Sequence, residues 1–394
     1  MTTRNTRLRT VLSLTAFSLL ITGALLYAGP LLPPSGPASS TYKTLSEVEP
    51  RRAINETNTP GDADSLFKIT QPGSYYLTGN VFGTSGKHGI KIESFNVTID
   101  LCGFTLFGMS SVGGLVDGIH CFNNTHSIKV TNGCIRGWGE DGLDLLNAHT
   151  CCIESVLSSE NGGDGIKAGN SSTISNCSSK ANGAFGFRCL DSCSLSNCTA
   201  HYNTGYGIFV DYGCVIADST ASHNLASGIH TRGNSTISNC VANVNSLHGI
   251  SANFSSNVTL SSARSNGGAG ISVNYYGLIA DCTAQLNSQD GIRCINACDI
   301  RGNTCDNNGT GIAVSGLDNR IEGNNCTHGT RGIDITGWAN VIVQNTCSGN
   351  NLNWNIAQGN SYGPIVETPP GASVLGNSAP ESLGSTHPNA NFTY

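Results

Sequence analysis

Apolar residues recur at a fixed interval of 21 positions through most of the chain. The longest such column consists of Ile174, Leu195, Ile216, Ile237, Val258, Ile279, Ile300, Ile321 and Ile342. Asparagines follow the same interval at Asn161, Asn182, Asn203, Asn224, Asn245, Asn266, Asn287 and Asn308. A constant period of this length predicts stacked units, each of which buries its apolar side against its two neighbours.

Within one unit the apolar residues alternate, which predicts short β-strands rather than helices. In Gly207-Ile208-Phe209-Val210, the first and third side chains after the glycine would point inward and the middle one outward. Glycine and asparagine between the strands supply the positive-φ positions that tight bends need. We therefore predict an all-β solenoid, a single-stranded parallel β-helix of about twelve coils. A leucine-rich repeat, the main alternative, would show a leucine-dense consensus that is missing here.

The asparagine column has the spacing of an internal ladder, in which each amide bonds its neighbours in the stack and the backbone of a bend. We expect this structural role for Asn182, Asn203, Asn224, Asn245, Asn266 and Asn287.

Two recurring patterns carry a resemblance to known proteins: Asn-x-Gly-x-Gly-Ile, as in Asn203–Ile208, and Ile-x-Asn-Cys-Thr-Ala, as in Leu195–Ala200. Over roughly residues 64–360 the chain resembles the right-handed parallel β-helix repeat proteins. This pectate-lyase-like shape is shared by pectate lyases, polygalacturonases and periplasmic carbohydrate-binding proteins. The resemblance implies a right-handed coil but little chemistry, because one fold hosts many functions. The catalytic motifs of those enzymes are absent, so none of their catalytic residues is carried over.

The two ends of the chain depart from the period. Residues 1–29 hold Arg4, Arg7 and Arg9 before an apolar run, which is typical of an export signal or of a single N-terminal membrane anchor. We assign residues 30–60 to a linker, 61–88 to an N-terminal cap, 89–360 to the β-helix and 361–394 to a C-terminal tail. This organisation predicts a secreted, cell-surface or periplasmic protein.

Composition narrows the range of partners. Charged residues make up 12% of the chain and the net charge is −6, without a basic stripe, so we do not expect nucleic acid as a partner. A solenoid uses its length as one elongated domain, and we expect a monomer. Seventeen cysteines would suggest disulfides in an exported protein. Because they exchange with serine and alanine in the repeat columns, we predict mostly free, buried thiols.

Candidate chemistry lies on one outward column, the residues that follow Gly-Ile on the early coils. His120, Asp144, Lys167 and Arg188 stand there at successive coils and are the candidate catalytic residues. The preceding column adds Asp117, Asp141 and Asp164. The neighbouring loop adds Arg136 and Trp138. We expect Trp138, Arg136, Asp141 and Asp164 to bind substrate.

This mixture of residues suits acidic-sugar chemistry. Asp141, Asp144 and Asp164 could hold Ca²⁺ through carboxylate oxygens, and paired carboxylates can divide the acid and base roles of glycoside hydrolysis. Lys167 or Arg188 could pair with a uronate, and Trp138 could stack on a sugar ring. Two structural alternatives stay open: aspartate before glycine is a common turn residue, and an alternating charge ladder can be a solvated face. No other cofactor is expected.

Two functions from different classes follow. The first is a non-catalytic surface protein that binds a polysaccharide or cell-surface glycan or serves as a rigid module. The second is a polysaccharide lyase or glycoside hydrolase that acts on an acidic glycan at the outer face of the early coils. The absent motifs favour the first function, and the clustered charges favour the second.

Overall fold

The computed structural model of the chain describes residues 49–109, 114–367 and 387–394. The predicted signal or anchor segment, residues 1–29, lies outside the described residues, as does most of the predicted linker. The described residues form strands, turns and bends, without helix. Among them, accordingly, no helix has the length and hydrophobicity needed to cross a membrane.

The strands assemble into one 14-stranded sheet, one 28-stranded sheet and one two-stranded sheet. The 14-stranded sheet contains Ser65–Ile69, His88–Ile92, Ile119–His120, Leu143–Leu145, Ile166–Ala168, Phe187–Cys189, Ile208–Tyr212, Ile229–Gly233, Ile250–Phe254, Ile271–Tyr275, Asp290–Asn296, Thr310–Val314, Arg331–Ile335 and Leu352–Ile356. The 28-stranded sheet contains Arg52–Ala53, Gly73–Tyr76, Val81–Phe82, Val97–Asp100, Thr105–Phe107, Ile128–Arg136, Cys152–Ser159, Thr173–Ser175, Ser178–Lys180, Ser194–Ser196, Thr199–His201, Val215–Ala217, Thr220–Ser222, Thr236–Ser238, Val241–Asn243, Asn257–Thr259, Ser262–Arg264, Leu278–Ala280, Thr283–Gln285, Asp299–Arg301, Thr304–Asp306, Arg320–Glu322, Asn325–Thr327, Val341–Val343, Thr346–Ser348, Ser361–Tyr362, Ile365–Glu367 and Asn391–Thr393. The two-stranded sheet pairs Thr125–His126 with Ala148–His149.

The 21-residue period is the register of these parallel sheets. Ile174 pairs with Leu195, and Leu195 pairs with Ile216 on the next coil. All nine residues of the predicted apolar column are 0% exposed, and burying each such side chain contributes roughly 1.5–3 kcal/mol. The 14-stranded sheet takes one strand from each coil, so its strand count is close to the twelve coils predicted. The predicted solenoid is confirmed.

The asparagine column forms the predicted ladder. The side-chain oxygen of Asn224 accepts the backbone N–H and the side-chain N–H of Asn203, at 3.1 and 3.0 Å. The Asn224 side-chain nitrogen donates to Asn245 Oδ1 at 3.0 Å and to the carbonyl of Ala200 at 3.3 Å. Asn224 is 0% exposed, so these bonds replace the water that the amide would otherwise contact.

The columns that contain cysteine and serine make coil-to-coil hydrogen bonds like those of the asparagine ladder. Cys177 Sγ accepts the backbone N–H of Val156 on the preceding coil at 3.5 Å, and Ser219 Oγ accepts that of Cys198 at 3.1 Å. All seventeen cysteines are free thiols and fourteen of them are buried, in agreement with the prediction. Burial raises the pKa of Cys177 to about 12, so that thiol stays protonated. The later coils substitute asparagine, since Cys282 N donates to Asn303 Oδ1 at 2.9 Å.

Both ends of the solenoid differ from the predicted boundaries. Arg52–Ala53, inside the predicted linker, pairs with Tyr75 and Tyr76. Ser65–Ile69, inside the predicted cap, is the first strand of the 14-stranded sheet. At the other end Asn391–Thr393 pairs with Thr346–Ser348, and Asn391 Oδ1 accepts the N–H of Asn345 at 2.9 Å. The tail therefore returns to the last coils and adds a rung to an asparagine stack.

The bends between strands hold many residues other than glycine at positive φ. Asparagine tolerates this conformation well, as at Asn176 (φ 54°) and Asn239 (φ 52°). Val244 (φ 55°) and Leu286 (φ 56°) occupy equivalent bends, where their side chains are strained. The stacking of coils imposes the bend whatever the local residue prefers.

Replacing Asn224 with leucine should lower the free energy of unfolding by about 1–3 kcal/mol, because the groups it bonds on neighbouring coils lose their partners. Denaturant unfolding at constant temperature measures the loss. The exposed Asn257 provides the control, and Asn257→Leu should change stability by less than about 0.5 kcal/mol. Equal losses in the two variants would contradict the ladder.

Replacing Val244 with asparagine should raise the free energy of unfolding by about 1 kcal/mol, because asparagine accepts a φ of 55° with less strain. Val244 is 46% exposed, so little apolar burial is lost. The same denaturant titration measures the gain, with Val241→Asn in the neighbouring strand Val241–Asn243 as the control. A loss of stability in Val244→Asn would show that the bend is unstrained.

Candidate functional site

A column of charged side chains crosses the outer face of the 14-stranded sheet. Lys91, His120, Asp144, Lys167 and Arg188 occupy equivalent positions on five consecutive strands, about 4.8 Å apart. The four candidate catalytic residues therefore lie side by side, as the repeat predicts. Arg188 is 39% exposed, but the side chains of the other four are only 13–16% exposed. This column is not a freely solvated charge ladder.

The aspartates that precede glycine lie beneath this column and hold the coils together. Asp117, Asp141 and Asp164 are 1–3% exposed. Asp117 Oδ1 accepts the N–H of Asp141 at 2.8 Å, and Asp141 Oδ1 accepts the N–H of Asp164 at 2.6 Å. Asp164 Oδ1 accepts the N–H of Phe185 at 2.7 Å. One oxygen of each carboxylate is thus structural, and only the second oxygen can serve the outer face.

The second oxygen of Asp117 contacts two histidines. Asp117 Oδ2 lies 2.7 Å from His120 Nδ1 and 3.4 Å from His88 Nδ1. The two imidazoles stack on each other, with ring centres 4.5 Å apart. His88 Nδ1 also accepts the backbone N–H of Asp117 at 2.9 Å, which fixes the proton of neutral His88 on Nε2. Two imidazoles and one carboxylate therefore form a compact group.

The charges of Asp117 and His120 shift each other's pKa values. Burial tends to raise the pKa of Asp117, but the contact with His120 and the backbone N–H of Asp141 help to outweigh burial, and the pKa is lowered to about 2. Burial tends to lower the pKa of His120, and the Asp117 carboxylate more than offsets it, so the pKa is raised. Asp117 is therefore ionised at neutral pH, and it stabilises the protonated form of His120.

Asp141 and Lys167 form the next ion pair along the column. Lys167 Nζ lies 2.5 Å from Asp141 Oδ2 and 3.6 Å from Asp164 Oδ2. Burial outweighs this pairing and raises the pKa of Asp141 to about 7; burial also raises the pKa of Asp164. Lys167 was predicted as an outward candidate catalytic residue. In the structure it compensates two buried carboxylates, so its removal would leave them unpaired.

Aromatic side chains continue the face beyond Arg188. Four rings, which we call the aromatic platform, stand on three consecutive coils: Phe185, Tyr206, Phe209 and His230. Phe209 stacks on Phe185 and on His230, each at 5.4 Å, and Tyr206 stacks on His230 at 4.9 Å. The Arg188 guanidinium lies 5.8 Å from the centre of the Phe185 ring. Burial lowers the pKa of His230 to about 4, so this ring is neutral at pH 7.

A groove of about 420 Å³ opens beside the first coils. We call it the polar groove; its lining residues are Asp64, His88, Lys91, Leu115, Asp117, His120, Phe122, Glu140 and Asp144. Lys91 Nζ is balanced by Asp64 at 3.1 Å and Glu93 at 3.2 Å. The polar groove thus carries the titratable groups, and the aromatic platform follows it along the same face.

Two of the predicted substrate-binding residues lie elsewhere. Trp138 was expected to stack on a sugar ring, but it is 1% exposed and its Nε1 donates to the carbonyl of Leu106 at 3.2 Å. A ring of this size fills the core where Gly89 and Gly118 leave room for it. Arg136 ends a strand of the 28-stranded sheet and pairs with Glu160 at 2.7 Å. Neither residue lines the polar groove.

Asp141 and Asp164, also predicted to bind substrate, are buried structural residues as described above. Among the described residues, two groups bring possible metal-ligating atoms within 4.8 Å of one another: His88, Asp117 and His120, and Asp117, Asp141 and Asp144. Asp164, predicted as a Ca²⁺ ligand, belongs to neither group. In the all-carboxylate group Lys167 already supplies positive charge to Asp141.

Sequence reasoning missed the contribution of His88 and of the aromatic platform. His88 precedes glycine in the same column as Asp117, a signal that points to proximity but not to a stack of imidazoles. Phe185 and Tyr206 also stand before glycine, one and two coils beyond Asp164. The signal in the sequence was that aromatic residues replace aspartate in this column, which indicates a change in the character of the face.

Replacing Asp117 with asparagine should lower the pKa of His120 below its ordinary value of about 6.5, because burial and nearby Lys91 then act without the carboxylate. NMR titration of the imidazole protons measures this pKa. Asp144 lies farther away, at 3.8 Å, so Asp144→Asn should lower it less. An unchanged pKa of His120 in Asp117→Asn would contradict the pairing.

The same pairing predicts a pH dependence of stability. Since the pKa of His120 is raised in the folded state, the contact stabilises the fold fully below about pH 6.5 and is lost as the pH rises through the raised value. The difference in unfolding free energy between the wild type and His120→Gln should therefore shrink above that pH. A difference that is constant from pH 5 to pH 9 would exclude the ionic contact.

Comparison with known proteins identifies the family. The family described as the right-handed β-helix region matches residues 117–264 and 190–324, together over half of the chain. No curated protein matches the sequence. Similar solved structures include the A-module of the Azotobacter vinelandii mannuronan C-5 epimerase AlgE4 (14% identity, 74% of this chain and 91% of that chain, TM-score 0.43). The periplasmic alginate epimerase AlgG (13% identity, 78% and 79%, TM-score 0.39) is also similar.

A third similar structure is a mutant tailspike protein of E. coli bacteriophage HK620 in complex with a pentasaccharide (12% identity, 91% of this chain and 81% of that chain, TM-score 0.50). At these identities the likeness concerns the fold alone. The matched family and the parallel solenoid agree: the chain belongs to the right-handed β-helix family.

Proposed function

We propose that this protein binds a polysaccharide along the outer face of its 14-stranded sheet. One observation carries the proposal: the polar groove and the aromatic platform follow each other on consecutive strands of a single face. From Asp144 the register runs through Lys167 and Arg188 to Phe209 and His230. A ligand that crosses the strands would meet charged groups first and aromatic rings next.

The chemistry of this face suits a sugar chain. Aromatic rings stack on the apolar faces of sugar rings, while charged and polar groups bind the hydroxyl or carboxylate substituents. Arg188 stands at the junction, with its side chain 39% exposed and its guanidinium 5.8 Å from the centre of the Phe185 ring, so its charge is accessible to an anionic substituent of a ligand. The HK620 tailspike was solved with a pentasaccharide, so the fold is compatible with a bound glycan.

A second candidate function is acid–base chemistry on the bound glycan, and the contact between Asp117 and His120 favours it. A buried carboxylate that orients an imidazole toward a groove is an arrangement that general bases use. It suits proton abstraction by a lyase. Glycoside hydrolysis would instead need a pair of carboxyl groups at the groove; both oxygens of Asp141 are engaged, by the Asp164 N–H and by Lys167, whereas Asp144 and Glu140 line the groove.

A polysaccharide partner implies a location where such chains occur, and we propose that the protein acts in the periplasm, at the cell surface or outside the cell. The basic and apolar N-terminal residues support export, although they lie outside the described residues. Most of the thiols are buried, and where burial raises the pKa, as it does to about 12 at Cys177, the thiol stays protonated and poorly reactive, which is compatible with an oxidising compartment.

The binding face can be tested with a panel of soluble polysaccharides, namely dextran, polygalacturonate and alginate, measured by isothermal titration calorimetry. We expect at least one to bind the wild type. Arg188→Ala and Tyr206→Ala should each weaken that binding by about tenfold or more, roughly 1.4 kcal/mol, with little change in melting temperature.

Arg301 is the matched control, because it is 54% exposed on the 28-stranded sheet, away from the proposed face. Arg301→Ala should bind like the wild type. Failure of all three polysaccharides to bind would argue against a general glycan site, and an equal loss in Arg301→Ala would show that the effect is not local to this face.

A further inference from the structure

We propose that His88, Asp117 and His120 form a binding site for a divalent first-row transition metal ion, such as Zn²⁺, at the polar end of the groove. A ring nitrogen of each histidine and a carboxylate oxygen of Asp117 lie within 4.8 Å of one another. The three residues come from two adjacent coils and all three line the groove. Two imidazoles and one carboxylate are a ligand set typical of zinc and non-haem iron sites.

The spacing of the ligand atoms is close to what such an ion requires. With bonds of about 2.0–2.1 Å, the ligand atoms around a tetrahedral ion are about 3.3–3.5 Å apart. His88 Nδ1 and Asp117 Oδ2 are 3.4 Å apart. His120 Nδ1 and Asp117 Oδ2 are 2.7 Å apart, so this pair would separate by less than 1 Å. The stacked rings, 4.5 Å between centres, hold the two histidines on one side of the carboxylate.

The buried nitrogen of His120 faces carboxylate oxygens. Its Nδ1 is shielded from solvent and lies 2.7 Å from Asp117 Oδ2 and 3.8 Å from Asp144 Oδ2. His88 already presents the lone pair of Nδ1 inward, where it accepts the N–H of Asp117. An ion would compete with that N–H for the lone pair, which requires a small rotation of the ring.

The surrounding charges favour a cation at this place. Asp144 lies 3.8 Å from His120, and Asp64 and Glu140 line the same groove. The positive charge of Lys91 is compensated by Asp62, Asp64 and Glu93. Acidic residues on the rim raise the local concentration of cations.

Three protein ligands leave positions of the ion open toward the groove. If a glycan occupies the groove, as proposed above, its hydroxyl or carboxylate oxygens could complete the coordination. That consequence rests on the proposed function, whereas the metal site itself does not. With an ion bound, His120 would serve as a ligand rather than as the base considered above.

The test uses the full-length protein after treatment with EDTA and thiol reductant, titrated with Co²⁺ alone and followed by its visible absorption and by calorimetry. We expect one equivalent bound, with d–d bands of nitrogen and oxygen ligation and without the charge-transfer band of thiolate ligation. His120→Gln and His88→Gln should each weaken binding of Co²⁺ by at least about tenfold. Replacing residues that only hydrogen-bond to metal ligands already weakens metal binding by about 10–100-fold.

His248 provides the control, because its Nδ1 accepts the N–H of Ala269 at 3.0 Å just as His88 accepts that of Asp117. His248→Gln should bind Co²⁺ like the wild type. Absence of binding by the wild type, a thiolate charge-transfer band, or equal binding by His120→Gln with an unchanged melting temperature would each overturn the proposal. Polysaccharide binding measured on metal-free protein reports separately on the proposed function.

Discussion

Hydrogen bonds from one coil to the next hold this molecule together. Every coil must therefore provide partners for the buried polar groups of its neighbours. A buried backbone N–H at a bend cannot reach water, so a side chain on the next coil must accept it. Asparagine does this in the middle of the solenoid, cysteine and serine do it in neighbouring columns, and aspartate does it beneath the outer face. Four kinds of residue thus perform one structural task.

The candidate site arises where a structural side chain has a polar atom that the coil-to-coil hydrogen bonds do not use. An asparagine in the ladder uses both ends of its amide within the stack. An aspartate has two equivalent oxygens, and the coil needs only one of them. On Asp117 and Asp141 the second oxygen is therefore free to bind a histidine or a lysine of the outer column. The charged face is built on the structural columns rather than added to them.

The sequence was sufficient to predict the repeat, the parallel coils and the inner columns, because a 21-residue period translates directly into register. It also placed His120, Asp144, Lys167 and Arg188 side by side, since equivalent positions on neighbouring coils must be neighbours. It did not reveal how deeply those residues are buried. The exposure of a side chain depends on its contacts with the neighbouring column. Here Lys167 and His120 contact buried aspartates, so both side chains lie close to the sheet.

Trp138 illustrates the limit of residue type as a guide. A tryptophan in a glycine-rich loop suggested a surface for stacking on a sugar, but the glycines around it make room for the ring inside the core. Phe185 and Tyr206 of the aromatic platform, in contrast, stand in the column before glycine, which the period alone would class as structural. Whether a ring faces the interior or the ligand is decided by its neighbours in space, which the sequence order does not show.

The return of the C-terminal strand has a consequence for the order of folding. The amide of Asn345 finds its partner in Asn391, 46 residues further along the chain. During synthesis each earlier coil can be covered as soon as the following 21 residues emerge, but this rung waits for a segment much farther on. Until then the last coils present an unpaired edge, the kind of edge that recruits strands from other chains. A nascent chain can therefore pair with strands of other chains at its last coils until the strand Asn391–Thr393 covers them.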